Sequence, residues 1–147
     1  MKASEAIRVY WRDSNHLPTN LLGWSTIQSQ KITFSRNVTS KVVDMSFFTL
    51  SLQASEISFN NCNFSSLKSM MFFAEGTNGY NEISSIDFTG STMTGNVNAL
   101  GAFKNNKSLK SINLSSWEGT LTNTQEMFYN STIRDIDLSG LTLEGPC

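Results

Sequence analysis

A short motif, one apolar residue, one polar residue and a second apolar residue, returns five times along this chain at nearly constant intervals. The copies are Ile32-Thr33-Phe34, Ile57-Ser58-Phe59, Ile86-Asp87-Phe88, Ile112-Asn113-Leu114 and Ile136-Asp137-Leu138. Their starts are separated by 25, 29, 26 and 24 residues. Such alternation puts both apolar side chains on one side of a short strand. Three residues ahead of each start stand Ser29, Ala54, Ile83, Leu109 and Ile133, so the apolar lead-in strengthens toward the C-terminus.

A second pattern keeps phase with the first. Apolar residues at steps of three recur as Val42/Met45/Phe48, Leu67/Met70/Phe73 and Val97/Leu100/Phe103, and again, less strictly, as Leu121/Thr124/Met127. That step reads as one short helical turn presenting a single face. One strand and one turn per period in the twenties predicts a solenoid of leucine-rich-repeat type, with one short parallel strand and one short helical turn per repeat of 24–29 residues. Such a fold is mostly β and turn. No single repeat can bury its own apolar residues, so stability has to come from stacking. Each large side chain enclosed this way contributes about 1.5–3 kcal/mol.

The boundaries follow from the phase. Residues 1–31 are expected to be an N-terminal capping segment, with Ile7 to Trp11 as a first alternating strand. Pro18, Leu21, Leu22, Trp24 and Ile27 are expected to cover the end of the apolar column. Repeats then occupy 32–56, 57–85, 86–111 and 112–135, with a partial one at 136–147. The second repeat carries a connector four residues longer than the others, with Gly76, Gly79 and Tyr80 in it. Insertions in solenoids fall in loops and often on the binding side, which makes Tyr80 a candidate contact residue beside the simpler reading of a tolerated extension. No polar cap follows the last strand. An uncapped apolar rung is an adhesive edge, so the expectation is either a longer natural chain or docking, self-association included.

Composition narrows the function classes. A net charge of −1 over 147 residues supplies no electrostatic footprint for nucleic acid. Ser, Thr and Asn number 51, a bias that suits loops and strand faces lined by short hydrogen-bonding side chains. Two cysteines, Cys62 and Cys147, are too few for a disulfide framework. Met1-Lys2 leads into Ala-Ser-Glu-Ala rather than an apolar run, and no stretch approaches the roughly 20 residues of a membrane span. The expectation is therefore neither membrane insertion nor a cleaved leader. A cell-surface or extracellular place is expected if the sequence belongs to a larger chain, and a virion otherwise.

With the repeats aligned, the segments LKSINLSSWEG (109–119), LTNTQEMFYNS (121–131) and IRDIDLSG (133–140) resemble the repeat of BspA-like leucine-rich-repeat proteins. The resemblance covers about residues 32–143 and is most specific in the last two repeats. It implies display on a microbial surface and binding to a partner protein, and it implies no reaction. Trp117 stands where that repeat has its Trp or Phe, which marks it as packing; the aligned positions are Cys62, Ser91 and Leu141.

Each strand turns one side chain outward between its apolar pair: Thr33, Ser58, Asp87, Asn113 and Asp137. Lys31, Glu56, Ser85, Ser111 and Asp135 share that face by the period of two. This polar ladder is the candidate binding surface for another protein or a surface glycan, and a solvated sheet face is the plain alternative. Asp135 and Asp137 would lie roughly 7 Å apart, within the range of an inverting glycosidase pair. Alternating polar residues produce such pairs routinely, and neither carboxylate has an evident reason for a raised pKa. His16, in a polar turn, reads as a loop residue. The sequence holds no phosphate loop, metal spacing or nucleophile–histidine arrangement, so no cofactor or metal is expected. Three readings stand: a non-enzymatic binding and adhesion module, a virion structural protein (phage decoration or tail component) assembling through its solenoid ends and, remotely, a glycoside hydrolase.

Overall fold

The structure is a computed structural model, and it describes residues 6–9, 17–21, 30–49, 54–76 and 83–145. Each Ile-x-apolar motif falls on a short parallel strand. These are β2 (Lys31–Phe34), β3 (Glu56–Ser58), β4 (Ser85–Asp87), β6 (Ser111–Asn113) and β8 (Asp135–Asp137), preceded by β1 (Ala6–Val9). Strands β1 to β4 form one parallel sheet in which Ile7, Ile32, Ile57 and Ile86 share a register position, and β6 pairs in the same register with β8. A second column runs alongside. It begins as single bridges joining Asn20, Asp44, Ser69 and Asn98, and continues as β5 (Asn96–Asn98), β7 (Thr120–Asn123) and β9 (Thr142–Leu143). The molecule is a β-solenoid of about four turns.

Among the described residues there is no helix. The step of three arises otherwise. Phe47, Phe72, Gly101 and Glu126 occupy one corner of successive turns, with φ of 56°, 52°, 58° and 54°. Right-handed helices need negative φ throughout, so these residues cannot belong to one. A left-handed residue instead folds the chain back and returns the next side chain inward. Met45 and Phe48 thereby point to the same interior without a helix between them. The amides agree: Met45 N and Phe47 N donate to Ser69 O (2.9 Å) and Met71 O (3.1 Å), on the next turn rather than back along their own.

The third copy of this pattern is displaced by one residue. Asn98 pairs with Asn123 while Val97 pairs with Leu121, a bulge that leaves Thr122 unmatched. The amides of Met70 and Phe72 bond Asn98 O and Leu100 O, so Ala99 and Ala102 stand in the places of Met45/Met70 and Phe48/Phe73. Leu100 and Phe103, expected there from the spacing, are shifted by one. Phe103 is still buried and stacks on Phe128, with ring centroids 5.6 Å apart.

Stacking builds the core. Phe34, Phe59 and Phe88 are piled along the first column at 4.7 and 5.3 Å, and Phe48 and Phe73 along the second at 5.6 Å. The two piles touch through tilted and edge contacts such as Phe34–Phe48 and Phe59–Phe73. Each such ring pair contributes about 0.5–1.5 kcal/mol beyond the area it buries. Trp117 closes the pile from the third side, fully buried, its ring edge-on to Phe88 at 5.2 Å. Its Nε1 donates to Ser91 Oγ at 2.8 Å, and that hydroxyl donates to Phe88 O at 2.6 Å. The strand ladder of the first column lapses between β4 and β6, which belong to separate sheets. The lapse coincides with the level at which the indole enters above Ser91.

Candidate functional site

The Ser, Asn and Asp residues of this chain have a local task. Where a strand ends, an oxygen of its last outward side chain takes the amide two residues on. Asn60 N donates to Ser58 Oγ (3.3 Å), Thr89 N to Asp87 Oδ1 (2.9 Å), Ser115 N to Asn113 Oδ1 (2.9 Å) and Ser139 N to Asp137 Oδ1 (3.1 Å). The second column repeats this: Ser46 N bonds Asp44, Met71 N bonds Ser69, Leu100 N bonds Asn98 and Gln125 N bonds Asn123. Short polar side chains that mimic a turn in this way stop a strand after three residues. Four of the expected ladder residues, Ser58, Asp87, Asn113 and Asp137, therefore hold the backbone as well as facing solvent.

The ladder itself forms in two blocks. On β2–β4, Thr33, Ser58 and Asp87 are in register, flanked by the register row Lys31, Glu56 and Ser85. Together with Ile57 and Asn60 they line an open depression of about 360 Å³. Lys31 Nζ lies 3.9 Å from a Glu56 carboxylate oxygen, both side chains about half exposed. Burial acts to raise the Asp87 carboxyl, but the hydroxyl and amide of Thr89 and the Asn60 side chain outweigh it and hold the group below its usual value. Asn113, Asp135 and Asp137 stand apart on β6 and β8, all exposed. The Asp137 carboxyl is also held low, by the side chain and amide of Ser139. That is opposite to what a general acid needs. Tyr80 lies outside the described residues.

Two further surface features escaped the sequence reading. An open groove of about 450 Å³ is lined by Arg36, Asn37, Asn61, Asn63, Gly90 and Thr92. Asn61 (φ 58°) and Gly90 (φ 73°) make its corner, and the Asn61 side chain occupies the space a Cβ on Gly90 would need. The sole sequence sign was an asparagine or glycine four residues beyond the strand isoleucine. Elsewhere, Tyr129 is exposed, with Lys104 Nζ 5.6 Å from its ring centroid; Lys104 also pairs with Glu126. Among the described residues, no cluster of His, Cys, Asp and Glu is arranged to hold a metal ion.

Compared with protein-family models, with curated proteins and with solved structures, the chain matches none.

Proposed function

We propose that this chain is a non-enzymatic binding module of BspA-like leucine-rich-repeat kind, meeting a protein or a surface glycan through the polar face of β2–β4. The observation that carries the reading is the depression in which Lys31, Glu56, Ser58 and Asp87 converge on a rigid sheet. Short strands pinned by their own turn bonds present these groups with little conformational freedom, which lowers the entropic cost of binding. The mixture of one cation, two carboxylates and several hydroxyls suits a neutral polyol or a polar peptide better than a highly charged ligand. The test is a printed glycan array probed with labelled wild-type chain and with a Lys31→Ala/Glu56→Ala variant. Binding to a defined subset, lost in the variant while urea stability is kept, is the expected result. Identical array profiles for the two chains would sink the assignment to this face.

A further inference from the structure

The open groove of about 450 Å³ runs across three successive turns, with Arg36 and Asn37 on the first, Asn61 and Asn63 on the second, and Gly90 and Thr92 on the third. The stack fixes its walls. Asn61 N donates to Thr89 O (2.9 Å), Phe64 N to Thr92 O (2.8 Å) and Thr92 N to Cys62 O (3.0 Å), so these residues keep their places from turn to turn. The Asn61 side chain is further confined, because its Oδ1 lies against Gly90 in the space that any other residue would fill with its Cβ.

Here the fold leaves polar groups unused. At the strand ends the side chains of Ser58, Asp87 and Asn113 each hold a backbone amide. In the groove, by contrast, the side chains of Arg36, Asn37, Asn61 and Thr92 make no hydrogen bond or ion pair among the described residues. Asn63 spends its Oδ1 on Ser65 N (2.8 Å) and keeps its amide N–H groups as donors. A guanidinium and several carboxamides therefore gather with no carboxylate among the described residues lining the groove. The depression on β2–β4 differs in kind, since its Lys31 stands beside Glu56 and shares the opening with Asp87.

We propose that this groove binds an acidic sugar, a uronate or a sialate, with Arg36 taking the carboxylate and the asparagines and Thr92 taking the ring hydroxyls. A guanidinium presents parallel N–H donors that match the two oxygens of a carboxylate. A carboxamide donates and accepts, as a sugar hydroxyl does, so Asn37, Asn61 and Asn63 suit a polyol. One cation balances one carboxylate, whereas a nucleic acid strand is met by several. Such a site rests on the glycan-binding reading above and sets the ligand's charge outside the β2–β4 depression.

The test is an array of uronate- and sialate-bearing oligosaccharides printed beside their methyl esters. It is probed with labelled wild-type chain, Arg36→Gln, Arg36→Lys and the Lys31→Ala/Glu56→Ala variant. Wild type is expected to retain acidic glycans over their esters, and the class retained names the source of the carboxylate. Arg36→Gln should weaken retention about ten- to a hundredfold, the worth of a hydrogen bond to a charged group. Arg36→Lys should fall between, because it keeps the charge and loses the fork. The Lys31→Ala/Glu56→Ala variant should retain acidic glycans as wild type does. Arg36 is exposed, so its variants should unfold at the wild-type urea midpoint. Equal retention of acids and esters, or retention untouched by Arg36→Gln, would overturn the site. Competition by inorganic sulfate as effective as that by free glucuronate would show an anion site without sugar recognition, and would overturn it too. Loss in the Lys31→Ala/Glu56→Ala variant alone would keep the β2–β4 reading and sink this one, and loss in Arg36→Gln alone would do the reverse.

Discussion

The ring of Phe72 lies across the Cα of Gly101, on the next turn, so closely that a Cβ built on the glycine would come within 2.6 Å of the ring's Cδ1 atom. On its other side the same ring stacks on Phe47, with centroids 5.3 Å apart. All three residues sit at the left-handed corner, where a bulky side chain is an outlier and glycine is at ease. Gly101→Ala is expected to cost about 1–3 kcal/mol, one part from the backbone and one from the clash. Phe72→Ala gives up the stack on Phe47 but, in the Gly101→Ala background, relieves the clash while leaving the backbone part. A double-mutant cycle read by urea denaturation should therefore show a favourable coupling of about 0.5–3 kcal/mol between the two substitutions. Additive costs would mean that the ring does not hold this position.

Among the described residues Trp117 is the largest enclosed side chain, and its indole N–H donates to Ser91 Oγ. Trp117→Ala is expected to destabilise by about 3–5 kcal/mol. Trp117→Phe keeps part of the volume but loses the bond to Ser91, for about 0.5–1.5 kcal/mol in addition to the cavity. Equilibrium unfolding of both variants checks the order. A Trp117→Ala midpoint equal to wild type would contradict the packing described.

Burial pushes the Cys62 thiol up to about 11, partly offset by a hydrogen bond with Thr39. Its Sγ lies 3.7 Å from Phe34 O, well inside the core. On a Cys147→Ser background, a chromogenic disulfide reagent near neutral pH is expected to leave the native protein unlabelled and to label it fully in urea, because the thiolate is the attacking species. Rapid stoichiometric labelling of the native protein would show an open turn at this level.

Asp87 supplies an acid-side prediction. Its folded pKa lies below the usual value, so the carboxylate contributes stability above its unfolded pKa of about 3.9 and loses it as pH falls through the folded value. Asp87→Asn can keep the turn bond to Thr89 N while removing the charge. The stability gap between wild type and variant should shrink on going from about pH 7 to about pH 2.5. A gap that stays constant across that interval would place the origin of acid sensitivity elsewhere.

How much of this was legible in the residues varies with the kind of signal. The strands were, because Ile32-Thr33-Phe34 and its copies can put both apolar side chains into one core in only one way. The corner was not. Three-residue spacing in Val42/Met45/Phe48 looks alike whether it comes from a helix or from a left-handed bend at Phe47, and phenylalanine seldom marks such a bend. The shift at Val97 hid for a related reason: Leu100 and Phe103 kept an apolar pattern one residue away from Ala99 and Ala102, whose small side chains carry little signal. The ladder was placed on its strands correctly, but composition could not say that Ser58, Asp87, Asn113 and Asp137 each hold an amide two residues on.

That last bond bears on how far the repeats can differ in length. A strand end closed by its own last side chain fixes where the strand stops, and the core contacts between turns fix which side chains must match. The connector between one closed strand end and the next is bound by neither, which fits intervals as unequal as 24 and 29 residues within one continuous stack.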